Sequence, residues 1–109
     1  MTNIVYQIKN LKTEKIYIGS SNNERERWLR HLNDLRKSKH HCIFLQRAYT
    51  KYGEENFEFS VLYRFNTIKE AREKEQEILE SYFSLDEKNR LEKIYNLSKQ
   101  AGGGDLVSY

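Results

Sequence analysis

Apolar and polar positions change period several times along the chain, and each change marks a predicted element. Asn3 to Lys9 (NIVYQIK) and Lys15 to Gly19 (KIYIG) are β-branched and aromatic, and the mainly polar stretch from Asn10 to Glu14 between them predicts a β-hairpin with a short loop. Ser20-Ser21-Asn22-Asn23 supplies cap-type residues before a charged amphipathic run from Glu24 to Lys37, in which Trp28, Leu32 and Leu35 recur at helical spacing as a core stripe. Ser38-Lys39-His40-His41 reads as a connector. Cys42 to Tyr52 reads as a second helix, with Leu45, Ala48, Tyr49 and Tyr52 on one face and Gly53 as its stop. Phe57, Phe59, Val61, Tyr63 and Phe65 alternate with more polar neighbours and form the clearest strand signal. Thr67 followed three positions later by Glu70 is a capping-box signature for a helix running to about Phe83. Asp86 to Glu92 could hold a short helix, and Ile94-Tyr95-Asn96-Leu97 a last extended piece. Gly102-Gly103-Gly104 then breaks the order as a linker or tail would, so a domain over 1–101 and a glycine-rich tail over 102–109 are expected. The predicted class is a small α/β (α+β) domain, a three-stranded mainly antiparallel sheet with an N-terminal hairpin, flanked by three or more helices.

Composition narrows the class without naming a function. The 109 residues suit one domain with a modest core, and 38% hydrophobic with 32% charged residues reads as globular rather than disordered. No stretch approaches the roughly 18 apolar residues of a membrane span, and Met1-Thr2-Asn3 leads straight into a strand without the pattern of a signal peptide. The single cysteine, Cys42, excludes an internal disulfide and a Cys-rich zinc site, and reads as a small buried apolar residue. A reducing, cytoplasmic setting is expected. The net charge of +3 is uneven: residues 1–52 carry +7 and residues 53–109 carry −4. A positive N-terminal half suits a phosphate backbone, although solvated helix faces would account for it equally.

One carboxylate stands where a carboxylate is costly. On the helix from Ile68 to Phe83, at about 100° per residue, Ile68, Ala71, Ile78, Leu79 and Tyr82 share one sector and Glu75 lies near its middle. Glu70, Glu73, Glu77 and Glu80 lie on the opposite, solvent side. A buried Glu75 must meet a cation or hydrogen-bond donors. Two readings are open: a buried salt bridge, for instance to an arginine of the first helix, or a ligand for a hard divalent cation. A single carboxylate would leave water and a substrate phosphate to complete the shell, which would suit a phosphodiesterase.

On the first helix, Arg27 and His31 are four apart on one flank of the Trp28/Leu32/Leu35 stripe, Arg25 and Arg36 lie on the other flank, and Arg30 points outward. An arginine at the edge of a core can hold a phosphate in bidentate fashion, or it can simply pair with Glu24 or Glu26. His40 and His41, in a connector, read as solvated, and neither makes a zinc spacing with His31 or Cys42. Tyr6 and Tyr17 lie one on each hairpin strand. A register pairing Ile8 with Ile16 puts them on opposite faces, and a slip of one residue, or a bulge near the turn, puts them together. A P-loop, a dinucleotide fingerprint, a nucleophile elbow and a zinc-finger spacing are absent.

Read together, these residues resemble the GIY-YIG nuclease family, in particular the catalytic domain of phage intron-encoded homing endonucleases, from Ile4 to about Asp105. Val5-Tyr6-Gln7-Ile8-Lys9-Asn10 looks like the first motif and Tyr17-Ile18-Gly19-Ser20 is the second intact. Arg27-Trp28 with His31 resembles the arginine-bearing helix, and Leu45-Gln46-Arg47 with Tyr52-Gly53 the second helix and its end. Glu73-Lys74-Glu75 looks like the segment with the metal-binding glutamate, and Tyr95-Asn96-Leu97 like the terminal element whose asparagine lies at or near the site. One departure is that Ile4-Val5-Tyr6 stands where the family name expects Gly-Ile-Tyr, which keeps the tyrosine and loses the glycine.

The resemblance implies a role for each residue. Tyr17, assisted by Tyr6 and His31, would take a proton from the attacking water directly or through a bound hydroxide. Free tyrosine titrates at about 10, so the site must favour phenolate through cationic neighbours or metal. Arg27 would stabilise transition-state charge, and Glu75 would hold one Mg²⁺ or Mn²⁺. Gly19, His40 and Asn96 would support them. The implied activity is hydrolysis of double-stranded DNA to 3′-hydroxyl and 5′-phosphate ends, without a nucleotide cofactor or a membrane. Two readings of target choice are open: a C-terminal DNA-binding region absent from this chain, as in homing relatives, or a free-standing enzyme of low specificity. The alternatives are a repair or structure-specific nuclease of the same family, or a catalytically silent DNA-binding module.

Overall fold

A computed structural model describes residues 2–98; the glycine-rich stretch at 102–109, expected as a tail, lies outside the described residues. In chain order the elements are β1 (Asn3–Asn10), β2 (Ile16–Ser21), α1 (Glu24–Arg36), α2 (Ile43–Tyr52), a 3₁₀ turn (Glu54–Asn56), β3 (Phe57–Phe65), α3 (Ile68–Phe83) and α4 (Glu87–Lys93). The strands form one antiparallel sheet in the order β2-β1-β3, so β1 is central and β2 an edge. This is the predicted class. Among the described residues no helix is long and apolar enough to cross a membrane.

The sheet has a core on each face, because β1 is apolar on both. Ile4, Tyr6 and Ile8 point to one side with Tyr17, and there meet Leu35 of α1 and Leu45 and Ala48 of α2. Val5 and Ile18 point to the other side and lie under Ala71 and Leu79 of α3, with Ile94. Helix ends follow local chemistry. Thr67 and Glu70 form the predicted capping box at α3, and Asp86 caps α4. Gly53, at φ 91°, ends α2 in a conformation that L side chains rarely adopt, and its N–H returns to the Tyr49 carbonyl.

The sheet corrects the reading of Ser20 and Ser21 and decides the hairpin register that the sequence leaves open. Ser20 and Ser21 belong to β2, and only Asn23 caps α1, its side chain accepting from the Glu26 N–H. The hairpin register pairs Ile8 with Tyr17 and Tyr6 with Gly19, not Ile8 with Ile16. Opposed residues share a face, so Tyr6 and Tyr17 lie on the same side. No bulge at the turn is needed for this. The irregularity lies instead between β1 and β3, where Tyr6 opposes Val61 but Val5 opposes Tyr63. The extra residue, Leu62, moves the rest of β3 to the other face. Phe57, Phe59 and Val61 thus join the α1–α2 side, whereas Phe65 packs toward α3 and Tyr63 carries the Lys74 ammonium over its ring.

The apolar stripe of α1 is also shifted. His31 and Leu35 are the buried positions, and Trp28 is half-buried against Phe59. A histidine therefore occupies the place that periodicity assigns to an apolar residue.

Candidate active site

The free edge of β2 is where elements from both faces of the sheet converge. An edge strand presents unpaired backbone groups that must find partners. Those of Ile18 are taken by one side chain: Asn96 Oδ1 accepts from the Ile18 N–H at 2.9 Å, and Asn96 Nδ2 donates to the Ile18 carbonyl at 2.8 Å. The Ile16 carbonyl accepts from the Tyr95 N–H at 2.7 Å, and Ile16 bridges Ile94 in parallel. The Ser20 carbonyl accepts from Arg27 Nη1 at 3.2 Å. Asn96 is buried and acts as a one-residue extension of the sheet beside the site.

Glu75 reaches the same edge from below. It is only 2% exposed, as its place on the α3 stripe predicts, and Ser20 Oγ donates to its Oε1 at 2.5 Å. Ser20 thus joins the arginine and the carboxylate: its carbonyl receives Arg27 from α1 and its hydroxyl serves Glu75 from α3. In the sequence Ser20 reads as a cap-type residue and as the last position of the Tyr17-Ile18-Gly19-Ser20 motif, with no carboxylate partner in view. The signal was its place two positions after Ile18, which puts it on the α3 face of an edge strand.

Above the sheet, aromatic rings form a second group. Gly19 lies opposite Tyr6, and a Cβ on it would stand within 2.9 Å of three atoms at the end of the Tyr6 ring. The absence of a side chain is what lets that phenol lie flat across β2, stacked on Phe59 with ring centroids 4.8 Å apart. Its Oη is 2.7 Å from His31 Nε2. The His31 Nδ1 is in turn 2.7 Å from His40 Nε2, with the two imidazoles stacked. Tyr17 meets the edge of the His31 ring, and its Oη shares a 3.1 Å hydrogen bond with His41 Nε2.

The two connector histidines, expected to be solvated, therefore divide: His40 is buried and His41 is exposed. Gln46 draws His40 in, accepting from its backbone N–H at 3.1 Å while donating to the Leu35 carbonyl at the same distance. Neither His41 nor Gln46 stands out in the sequence as part of a site: the Tyr17 partner of His41 is 24 positions away, and Gln46 acts through the main chain of His40 and Leu35, which no side-chain pattern reveals.

Electrostatics couple the two groups. Burial pushes the His31 imidazole well below the usual histidine range, and His40, Arg27, His41 and Arg30 push it the same way. Arg27 therefore acts on His31 through space while bonded to Ser20. The predicted residues fall into two sets, Tyr6, Tyr17, His31 and His40 above the sheet and Glu75 with Ser20 below, with Arg27 between them at the edge of β2.

The donor set bears on a metal ion. Among the described residues no three of His, Cys, Asp and Glu gather in a metal-holding group. What the edge offers is one buried carboxylate, already oriented by a hydroxyl. That fits a hard, incompletely dehydrated cation such as Mg²⁺, which keeps several waters and takes one or two carboxylates with substrate phosphate oxygens. The stacked histidines use their nitrogens on each other and on the tyrosines.

Comparison with known proteins agrees with this geometry. Residues 2–95 match the GIY-YIG catalytic domain. The chain is 38% identical over 104 residues to intron-associated endonuclease 1 of Enterobacteria phage T4, covering 95% of this chain and 40% of that protein's length. Two solved structures superpose on it. The catalytic domain of homing endonuclease I-TevI gives a TM-score of 0.72 at 33% identity, over 88% of this chain and 98% of that one. A mutant of the same catalytic domain gives 0.76 at 32% identity, over 94% of this chain and all of that one. The chain belongs to the GIY-YIG family of endonucleases and has the fold of its catalytic domain.

Proposed function

We propose that this chain is the catalytic domain of a homing endonuclease that hydrolyses double-stranded DNA to 3′-hydroxyl and 5′-phosphate ends. The observation that carries the reading is the meeting of Arg27 and Glu75 on one serine, Ser20, at the edge of the strand that bears Tyr17. Glu75 would hold a single Mg²⁺ or Mn²⁺. Such an ion supplies Lewis-acid polarisation of the scissile phosphate and charge stabilisation at the 3′ leaving oxygen.

The chain's own residues do the rest. Tyr17 receives a proton from the attacking water, with Tyr6 beside it on the same face. A phenolate needs nearby cations or donors: His31 and His41 lie at hydrogen-bond distance from Tyr6 and Tyr17, and the charge of Arg27 acts on His31. Arg27 meets the negative charge that grows on the phosphorus oxygens, a stabilisation that costs no reorganisation because Ser20 already holds the guanidinium. Asn96 holds the outer backbone groups of Ile18, next to Tyr17 on β2. Target choice is assigned to a separate DNA-binding region, which the greater length of the phage relative would accommodate.

The test is nicking of supercoiled plasmid with and without Mg²⁺. Glu75→Ala and Arg27→Ala should each lose about 100-fold or more while keeping the circular dichroism and thermal transition of a folded domain. Nicking by either variant at the parental rate would refute the assigned roles. Branched and flap substrates, cleaved in preference to linear duplex, would replace the homing reading with a structure-specific one.

A further inference from the structure

Hydrogen bonds have a direction, and in the ring cluster one backbone group sets it for three side chains. The N–H of Cys42 lies 3.0 Å from His40 Nδ1 and can only donate. That nitrogen must then be unprotonated, so a neutral His40 carries its proton on Nε2. His40 Nε2 lies 2.7 Å from His31 Nδ1. With the proton already on His40, His31 Nδ1 accepts, and a neutral His31 is protonated on Nε2. That N–H points at Tyr6 Oη, 2.7 Å away.

We propose that His40 is a positioning residue which, oriented by the Cys42 amide, holds His31 in its Nε2–H tautomer and makes the Tyr6 oxygen a hydrogen-bond acceptor. The inference rests on the reading of Tyr6 as an assistant to Tyr17 and adds a direction to it. His31 does not serve as a base toward Tyr6; it donates to the phenol oxygen. A donor at that oxygen favours the phenolate over the phenol, and it leaves the phenol's own proton aimed away from His31.

The surroundings are built to hold this arrangement. His40 is fixed at three points: its backbone N–H on Gln46 Oε1, its Nδ1 under the Cys42 N–H, and its Nε2 on His31 Nδ1. Cys42 is fixed in turn, at the start of α2, by its Sγ donating to the Tyr95 carbonyl at 3.2 Å. A second proton on His31 would set two N–H groups against each other at Nδ1, and burial beside Arg27, Arg30, His40 and His41 opposes it as well. The i, i+4 spacing places His31 on the same flank of α1 as Arg27, but neither its contact with Tyr6 nor the direction of the hydrogen bonds has a local sequence signal. That direction depends on a main-chain amide, which every residue type except proline would supply.

Histidine side-chain ¹⁵N NMR of the 109-residue chain near neutral pH decides the matter. Both Nδ1 atoms of His31 and His40 should show the shift of an unprotonated nitrogen, and both Nε2 atoms that of an N–H. A proton on His31 Nδ1 would overturn the inference. Two variants add a functional readout. His40→Gln keeps an N–H donor facing His31, and should preserve the His31 tautomer and rescue nicking relative to His40→Glu. His40→Glu places an acceptor there, and should move the His31 proton to Nδ1 and lower kcat by about 10- to 100-fold with little change in KM. Equal rates and equal tautomers in the two variants would also overturn it. If the parent chain cleaves no DNA, the nuclease reading fails, while the tautomer measurement still decides this one.

Discussion

Tyr6 and Gly19 face each other across the hairpin, and the ring of one fills the space that the other leaves open. Replacing Gly19 with alanine would force the phenol off β2 and away from His31 Nε2, although the ring is buried and stacked on Phe59. The expected cost is about 1–3 kcal/mol of stability from overpacking, with a larger proportional loss of nicking. Denaturant unfolding alongside a plasmid assay would check it, and an alanine variant with parental activity would remove Tyr6 placement from the role of that glycine. The motif glycine missing before Val5 has a simpler account. Ile4 stands there fully buried in the α1–α2 core, so this chain fills with an isoleucine the position that the family name gives to glycine. His31 carries a prediction in pH. Its folded pKa is depressed below the 6.5 of a free histidine, so below that value the unfolded chain binds a proton that the folded chain resists. Stability should therefore fall as pH drops below about 6.5, until the depressed folded value is reached, and His31→Gln should flatten that part of the profile. An unchanged slope in urea-midpoint measurements would mean that the buried imidazole is not the group responsible.

At the scale of elements, β2 is the part of the sheet most dependent on partners outside it. It pairs with β1 on one side only, and its outer groups are taken by Asn96, Tyr95 and Arg27. Asn96 matters most, because it satisfies both the N–H and the carbonyl of Ile18. Asn96→Leu should leave two backbone groups unpartnered at a cost of about 1–3 kcal/mol, and hydrogen exchange of the Ile18 amide should rise more than that of residues in β1. Uniform exchange across the sheet would show that the edge is held by other means. At the far end of α1, Arg36 makes a bidentate pair with Glu54, at 2.7 and 2.8 Å, and Tyr49 adds its hydroxyl at 2.7 Å. The Arg36 guanidinium and the Tyr49 hydroxyl together hold the Glu54 carboxyl down at about 2. The pair is exposed, so it aligns α1 with the turn after α2 more than it stabilises either. The order of these elements was readable from period and caps alone. The bulge at Leu62 was not, since alternation runs through it unbroken and only pairing with β1 shows the change of face.

For the molecule as a whole, charge and cleft act together. The half of the chain from Met1 to Tyr52 carries +7 and holds both hairpin strands and Arg27, so DNA retention should weaken as salt rises, by about 0.9 log units per tenfold salt for each phosphate neutralised. Chelation of divalent cations should stop nicking while leaving that retention in place; retention indifferent to salt would move the DNA contact away from this basic half. The family, the order of elements, the capped N-terminus of α3 and the buried place of Glu75 were all legible in the sequence, because each follows from local period, spacing or order along the chain. Tertiary structure alone decided the hairpin register, the burial of His40, the direction of the ring cluster and the choice of Ser20 as the point where Arg27 and Glu75 meet. The physical reason is distance along the chain. Ser20 and Glu75 are 55 positions apart, and Tyr6 and His31 are 25 apart. No local periodicity extends that far, and pairing across a sheet can shift by one residue with every local preference unchanged.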